Sequence, residues 1–271
     1  MTGSDAGHAR LFRRLHDSGL LLLPNAWDAG SARLIESVGA KAIATSSAAV
    51  AWSHGYPDGD RLPVSLLAAT AAAITRVVQV PLSVDVEGGY SSEPAAVGDA
   101  VARVLDAGAV GINVEDGTAA PDLLCAKIEA ARGTAARLGI DLFVNARTDV
   151  YLRGLVPADR RVAESVARGE RYRAAGADGL FVPGVSAAAD IRALAAGTRL
   201  PLNVLVWGGL PSSTELASLG VRRLSAGSSI CQVVYGRIAS LATDFLATGA
   251  SAPLIDRSLA YADLNALFTA R

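Results

Sequence analysis

The chain has 271 residues, 51% of them hydrophobic and 19% charged, and its 25 basic and 26 acidic residues leave a formal net charge of −1. So much apolar content excludes a disordered chain, and the charge balance gives no electrostatic reason for nucleic acid or an anionic membrane surface as partner. Two distant cysteines (Cys125, Cys231), two lysines (Lys41, Lys127) and three histidines argue against a disulfide framework, a Schiff-base lysine and a His-rich zinc site.

In chain order, the first twenty residues carry Asp5, His8, Arg10, Arg13, Arg14 and His16, without the apolar core of a secretory leader. No apolar run approaches the roughly 20 residues of a membrane helix, so a soluble, cytoplasmic protein is expected. From Leu21 onward, short apolar runs alternate with Ala-rich stretches. Strands are predicted at Leu21–Pro24, Ala42–Ser46, Leu82–Val86, Gly111–Val114, Leu142–Asn145, Gly179–Val182, Leu202–Leu205 and Arg222–Ser225. Helices follow them around Ala29–Val38, Ser65–Val78, Pro94–Asp106, Leu123–Leu138, Asp159–Ala174, Ala187–Leu194, Ser212–Leu219 and Ser229–Ala247.

Four of these helices run into the same device, Val38-Gly39-Ala40, Ala107-Gly108-Ala109, Ala175-Gly176-Ala177 and Leu219-Gly220-Val221. A glycine there takes the left-handed conformation that ends a helix and feeds the next strand. Eight βα units in one uninterrupted chain predict a single α/β domain over 1–271, a (β/α)8 TIM barrel. No GxGxxG follows the first strand, which argues against a dinucleotide-binding open sheet. Beyond the eighth helix, the segment 253–270 carries an apolar stripe (Leu254, Leu259, Leu264, Leu267, Phe268). It predicts an oligomerisation helix that buries this face on another subunit.

In such barrels the chemistry lies at the C-terminal strand ends. Those positions hold Asn25, Trp27 and Asp28, then Ser46 and Ser47, Asp85 and Glu87, Glu115 and Asp116, Arg147 and Asp149, and finally Asn203 and Trp207. The loop after the second strand adds His54, Tyr56, Asp58 and Asp60. Acids converging at one mouth repel unless a cation neutralises them, and oxygen-only ligands suit a hard ion, Mg²⁺ or alternatively Mn²⁺. Asp85 is the sharpest signal, because it interrupts the apolar run Pro81–Val86 where a buried strand should hold no charge. Asp28 and Asp116 serve equally well as helix caps or solvated acids. Arg147 can clamp a substrate carboxylate, pair with Glu115, or do both.

Taken together, these residues resemble the isocitrate lyase/phosphoenolpyruvate mutase superfamily. The matching segments are Leu-Leu-Pro-Asn-Ala-Trp-Asp (22–28), Ala-Thr-Ser-Ser-Ala (44–48), Gly-Tyr-Pro-Asp (55–58), Ser-Val-Asp-Val-Glu-Gly-Gly-Tyr (83–90), Gly-Ile-Asn-Val-Glu-Asp (111–116) and Asn-Ala-Arg-Thr-Asp (145–149). Ala-Gly-Ala-Asp-Gly-Leu-Phe-Val-Pro (175–183) and Pro-Leu-Asn-Val (201–204) carry the likeness through the seventh unit. The resemblance implies that Asp85 binds Mg²⁺ directly, with Asp58, Glu87 and Glu115 reaching it mainly through water. It implies Arg147, Asp58 and Glu115 as catalytic groups, and Ser46, Ser47, Ala48, Trp27 and Asn203 as substrate-binding. It also implies a C-terminal helix exchanged between protomers, in a homodimer or homotetramer.

The departures bear on the reaction. Lyases of this superfamily carry a Lys-Lys-Cys-Gly-His-type loop after the fourth strand, and the mutases a longer gating loop. Here the region reads Gly-Thr-Ala-Ala-Pro-Asp-Leu-Leu-Cys-Ala-Lys (117–127), which lacks both, and Cys125 is expected to be a structural thiol. The reading is a Mg²⁺-dependent enzyme acting on a small 2-oxo acid through an enolate, as a C–C lyase, decarboxylase or hydrolase. The alternatives are mutase-type P–C chemistry on a phosphonate and a barrel that only binds a metabolite.

Overall fold

The computed structural model describes residues 3–269, so the last residue of the predicted 253–270 segment lies outside it. All strands are parallel and run in the order β1-β9-β8-β7-β6-β5-β4-β3-β2. They are β1 (Leu21–Leu23), β2 (Asn25–Ala26), β3 (Ile43–Thr45), β4 (Leu82–Asp85), β5 (Gly111–Glu115), β6 (Phe143–Arg147), β7 (Gly179–Phe181), β8 (Leu202–Leu205) and β9 (Val221–Ser225). The prediction of eight is corrected to nine because Pro24 splits the first strand. A proline has no N–H to give to a ladder. The half before it pairs with β9 and the half after it with β3, so the two halves close the sheet into a barrel.

Helices α1 (Gly3–Asp17), α2 (Ala29–Ser37), α3 (Ser47–Ser53), α4 (Val64–Thr75), α5 (Pro94–Asp106), α6 (Pro121–Leu138), α7 (Arg161–Ala174), α8 (Ala188–Gly197), α9 (Ser213–Ser218) and α10 (Ser229–Thr248) follow. Two short ones, α11 (Ala252–Ile255) and α12 (Tyr261–Thr269), end the chain. The four predicted helix-ending glycines all have positive φ, 100° at Gly39, 95° at Gly108, 108° at Gly176 and 94° at Gly220. Each return to the sheet therefore uses a backbone state that side-chain-bearing residues avoid.

Two helices were not predicted. The short α3 occupies the turn after β3. Helix α1 seals the N-terminal end of the barrel through Ala9, Phe12 and His16, spaced three and four residues apart and all buried. Phe12 and His16 pack on Phe143, with ring centroids 5.4 and 4.2 Å away. The fit is close, since a Cβ on Gly111 would lie 2.8 Å from the Phe12 ring. Arg13 fastens the helix from outside, to Asp178 at 2.7 Å and to the Leu142 carbonyl at 2.9 Å.

The other end of the chain departs from expectation. Helix α10 was predicted to complete the ring around the barrel, yet over its 20 residues only Cys231 is buried. Val233, Ile238, Phe245 and Leu246 are exposed, and so are Leu254, Leu259, Leu264 and Phe268 of the terminal segment. Helix α12 touches α2, where Arg33 Nε donates to the Leu267 carbonyl at 2.8 Å. The unburied apolar surface thus begins at the eighth barrel helix rather than after it. No helix among the described residues is long and apolar enough to cross a membrane.

Candidate active site

An apolar groove of about 820 Å³ lies on the outer face of β1, between α1, α2 and the start of α10. Chemistry points to a smaller one of about 120 Å³ at the C-terminal strand ends, where Ser46, Ser47, Ala48, Asp58, Asp85 and Arg147 meet. Asn25, Asn113, Phe181 and Ser225 complete much of its wall.

Asp85 ends β4 on the barrel axis. Among the described residues two backbone donors reach its carboxylate, Ser47 N–H at the start of α3 and Glu87 N–H, each at 3.3 Å. No ion pair within 4 Å involves it among the described residues. Burial pushes its carboxyl up, against the pull of Arg147 and those N–H groups. Such a group gains from any cation that enters beside it. Ser46 caps α3 by accepting from Ala49 N–H at 3.5 Å, which sets Ser47 and Ala48 at the cavity wall.

Glu87 lies away from that wall. Its Oε2 accepts from the N–H groups of Gly59, at 2.8 Å, and Asp60, and its Oε1 from the Tyr90 hydroxyl at 3.0 Å. Asp60 answers by accepting from Tyr90 N–H at 3.0 Å. Asp60, Glu87 and Tyr90 all have positive φ (57°, 52° and 61°), a strained state held by this clasp. Its effect is to pin the loop carrying Asp58 against the barrel mouth. Burial, with Asp58 and Asp85 nearby, moves the Glu87 carboxyl up to about 7.

Arg147 ends β6 and is gripped from both sides, by Glu115 Oε2 at 2.6 Å and Asp149 Oδ1 at 2.7 Å. Burial, reinforced by Asp85, Asp149 and Glu87, lifts Glu115 to about 8 against the pull of Arg147, which itself is held more firmly protonated by its acids. Asp116 supports this from behind, accepting from Asp149 N–H at 2.9 Å, Tyr172 Oη at 2.6 Å and Arg168 at 2.8 Å. Its role is structural, as is that of Asp28, which forms a capping box with Ser31 on α2.

The remaining predicted residues scatter. Trp27 is buried in the hydrophobic core and Trp207 stands half exposed on the surface. Asn203 lies under the cavity in a buried polar layer, where Asn145 Nδ2 donates to it at 2.9 Å. Cys125 sits within α6, partly buried, with its thiol pushed up by burial. Four residues of that layer were missed, Asn113 on β5, Asn145 on β6, and Arg223 and Ser225 on β9. Asn113 and Asn145 carried the signal that exposed Asp85, a polar side chain inside an apolar run, whereas Arg223 and Ser225 stand in the polar stretch Val-Arg-Arg-Leu-Ser and carried none.

Of the acids expected to hold the ion, Asp85 directly and Asp58, Glu87 and Glu115 mainly through water, Asp58 and Asp85 line the cavity and Glu87 and Glu115 lie near enough to feel the charge of Asp85. Among the described residues no three His, Cys, Asp or Glu form a ready-made cage, because Glu87 and Glu115 direct their oxygens to protein partners. The donors still fit a hard divalent ion, since Mg²⁺ takes one or two carboxylates and leaves its other positions to water and substrate. Asp85 and Asp58 line the same cavity.

A model of the family described as phosphoenolpyruvate phosphomutase matches residues 12–246. A candidate phosphonomutase from Burkholderia cenocepacia J2315 is 41% identical, with a TM-score of 0.83 over 87% of this chain and 99% of that one. The oxaloacetate decarboxylase of Paraburkholderia xenovorans is 30% identical over 84% of this chain and 78% of its own length. A phosphonopyruvate hydrolase, solved in complex with oxalate and Mg²⁺, is 25% identical, with a TM-score of 0.84 over 96% and 94% of the two chains.

Proposed function

Because the chain belongs to the phosphoenolpyruvate phosphomutase family, an enzyme family of the isocitrate lyase/phosphoenolpyruvate mutase superfamily, we propose that it is a Mg²⁺-dependent enzyme that cleaves a C–C bond in a small 2-oxo acid. The observation carrying this reading is the pairing, across one small cavity, of the unpaired buried Asp85 with the immobilised Arg147. When bound at Asp85 and Asp58, Mg²⁺ supplies the positive charge that polarises the 2-oxo group. Arg147, held rigid by Glu115 and Asp149, takes the substrate carboxylate and offsets charge that develops as the bond breaks. The N–H groups at the start of α3 offer that carboxylate a second contact, and burial of the site excludes water. A volume of about 120 Å³ favours a three- or four-carbon acid, far below the hundreds of Å³ of a drug-sized pocket.

The test is turnover of oxaloacetate, phosphonopyruvate and 2-methylisocitrate with Mg²⁺ and after chelation. Metal-dependent consumption of oxaloacetate is expected. Turnover of phosphonopyruvate alone would favour P–C chemistry, and saturable binding without turnover would leave a metabolite-binding barrel.

The same reading extends to assembly. The apolar groove along Leu20, Leu22, Val38 and Leu224 lies where the barrel lacks a packed helix, and α10 carries an exposed apolar face. Exchange of α10 between two copies covers both, giving a dimer or a dimer of dimers. Light scattering should find no monomer at micromolar concentration, and truncation after Ser228, which removes α10, should shift the particle to monomer and lower the melting temperature.

A further inference from the structure

From the cavity wall inward runs a connected set of buried polar groups that the proposed chemistry does not use, in which Arg223 Nη1 is buried without a hydrogen-bond partner among the described residues. Arg223 has no exposed surface, and it extends across the barrel interior from β9 to β5. Its Nη2 donates to Asn113 Oδ1 at 3.2 Å and its Nε to Ser225 Oγ at 3.0 Å. Asn145 Nδ2 donates to the same Asn113 oxygen at 2.9 Å and to Asn203 Oδ1 at 2.9 Å. Asn203 Nδ2 closes the set on Ser225 Oγ at 3.1 Å.

Arginine carries only donors, so the Asn113 atom facing it must be the carbonyl oxygen. That determines the other end of the amide. Asn113 pairs in register with Asp85 and lines the cavity, and among the described residues no group takes its Nδ2. Burying a guanidinium without a carboxylate against it is costly, and Arg223 has no ion-pair partner within 4 Å among the described residues. A side chain retained at that cost needs a purpose that a leucine could not serve.

We propose that Arg223 is a positioning residue that locks the Asn113 amide with its NH₂ turned into the cavity, where it donates to an anionic oxygen of the substrate. This rests on the proposed 2-oxo acid chemistry and adds to it a specificity element. A carboxylate or enolate oxygen is accepted there, whereas a substrate presenting an ammonium or an amide N–H is refused.

Oxalate binding in the presence of Mg²⁺, followed by titration calorimetry, is the probe. Asn113→Ser should weaken binding about tenfold or more, the worth of a hydrogen bond to a charged group. Arg223→Met should weaken it similarly, Arg223→Lys should keep most of the affinity, and the Met/Ser double variant should be no worse than Asn113→Ser alone. Unchanged affinity in Asn113→Ser overturns the proposal even if Arg223→Met fails to fold, and so do additive losses in the double variant. A ligand-free measurement separates this from the function itself. The Asn113 side-chain NH₂ signals in a ¹⁵N NMR spectrum, identified by their loss in Asn113→Ser, should move in Arg223→Lys. Wild-type protein that ignores oxalate counts against the 2-oxo acid reading, whereas NH₂ signals that stay in place count against the Arg223–Asn113 pairing.

Discussion

The two ends of the barrel are built from the same strands and solve opposite problems. At the N-terminal end, His16 of α1 stacks on Phe143 while Phe12 meets both rings edge-on, and the cluster excludes water. The neutral His16 there is held far below its ordinary range, at about 3, by burial and by Arg223. At the C-terminal end, more acids are buried than Arg147 can neutralise, and burial drives Glu87 and Glu115 upward. One end lowers a base and the other raises acids, and the physical cause, desolvation of a charge, is the same. The contrast teaches where stability was given up. Close packing at one end holds a barrel whose other end stores charge repulsion.

The largest expected effect breaks the contrast at the charged end. Asp85→Ala should cost about 10³-fold or more in turnover, the scale of losing a central electrostatic group. Its melting temperature without metal should not fall, because the change removes one buried, mutually repelling carboxylate. Turnover near the wild-type value would remove Asp85 from the chemistry.

At the sealed end the effect reverses in kind. Phe12→Ala should lower unfolding free energy by about 3–5 kcal/mol, the usual range for emptying a buried aromatic site. Denaturant titration would measure this, and the KM of the remaining folded enzyme should stay within about twofold. A shifted KM with unchanged stability would show that α1 acts on the site rather than on the barrel.

The smallest effect, and the one that sharpens the comparison most, is in pH. Glu87 and Glu115 rise from 4.5 to about 7 and about 8 in the folded state. Their protonated forms stabilise the metal-free fold below pH 4.5, and that contribution is lost as pH climbs toward 8. His16 falls from 6.5 to about 3, so its neutral form contributes above pH 6.5 and is lost as pH drops toward 3. Thermal melts in metal-free buffer should therefore show stability declining between pH 6.5 and 8 in the wild type. Glu115→Gln should flatten that limb and His16→Gln the acid one. Identical pH profiles in all three proteins would refute both assignments.

How far the site was legible follows from which residues broke a pattern. Asp85 was legible because a charge inside an apolar strand has no structural excuse, and Arg147 because it followed Val144-Asn145-Ala146 at a strand end. Asn113 broke the same pattern more quietly, between Ile112 and Val114, whereas Arg223 stands beside a second arginine and broke none. Glu87 and Glu115 shared the composition of ligands, and only folding shows that backbone N–H groups and Arg147 hold their oxygens. The local code of apolar runs, Ala-rich stretches and helix-ending glycines by itself determined eight βα units and a parallel barrel. Such patterns repeat every few residues and need no distant partner. Tertiary structure alone decided that Pro24 would divide the closing strand, that α1 would plug the barrel and that α10 would leave it. It also decided that Glu87 would sit in a clasp of hydrogen bonds and Glu115 in an ion pair. Each outcome depends on which surfaces meet across the barrel, and sequence spacing does not encode that distance.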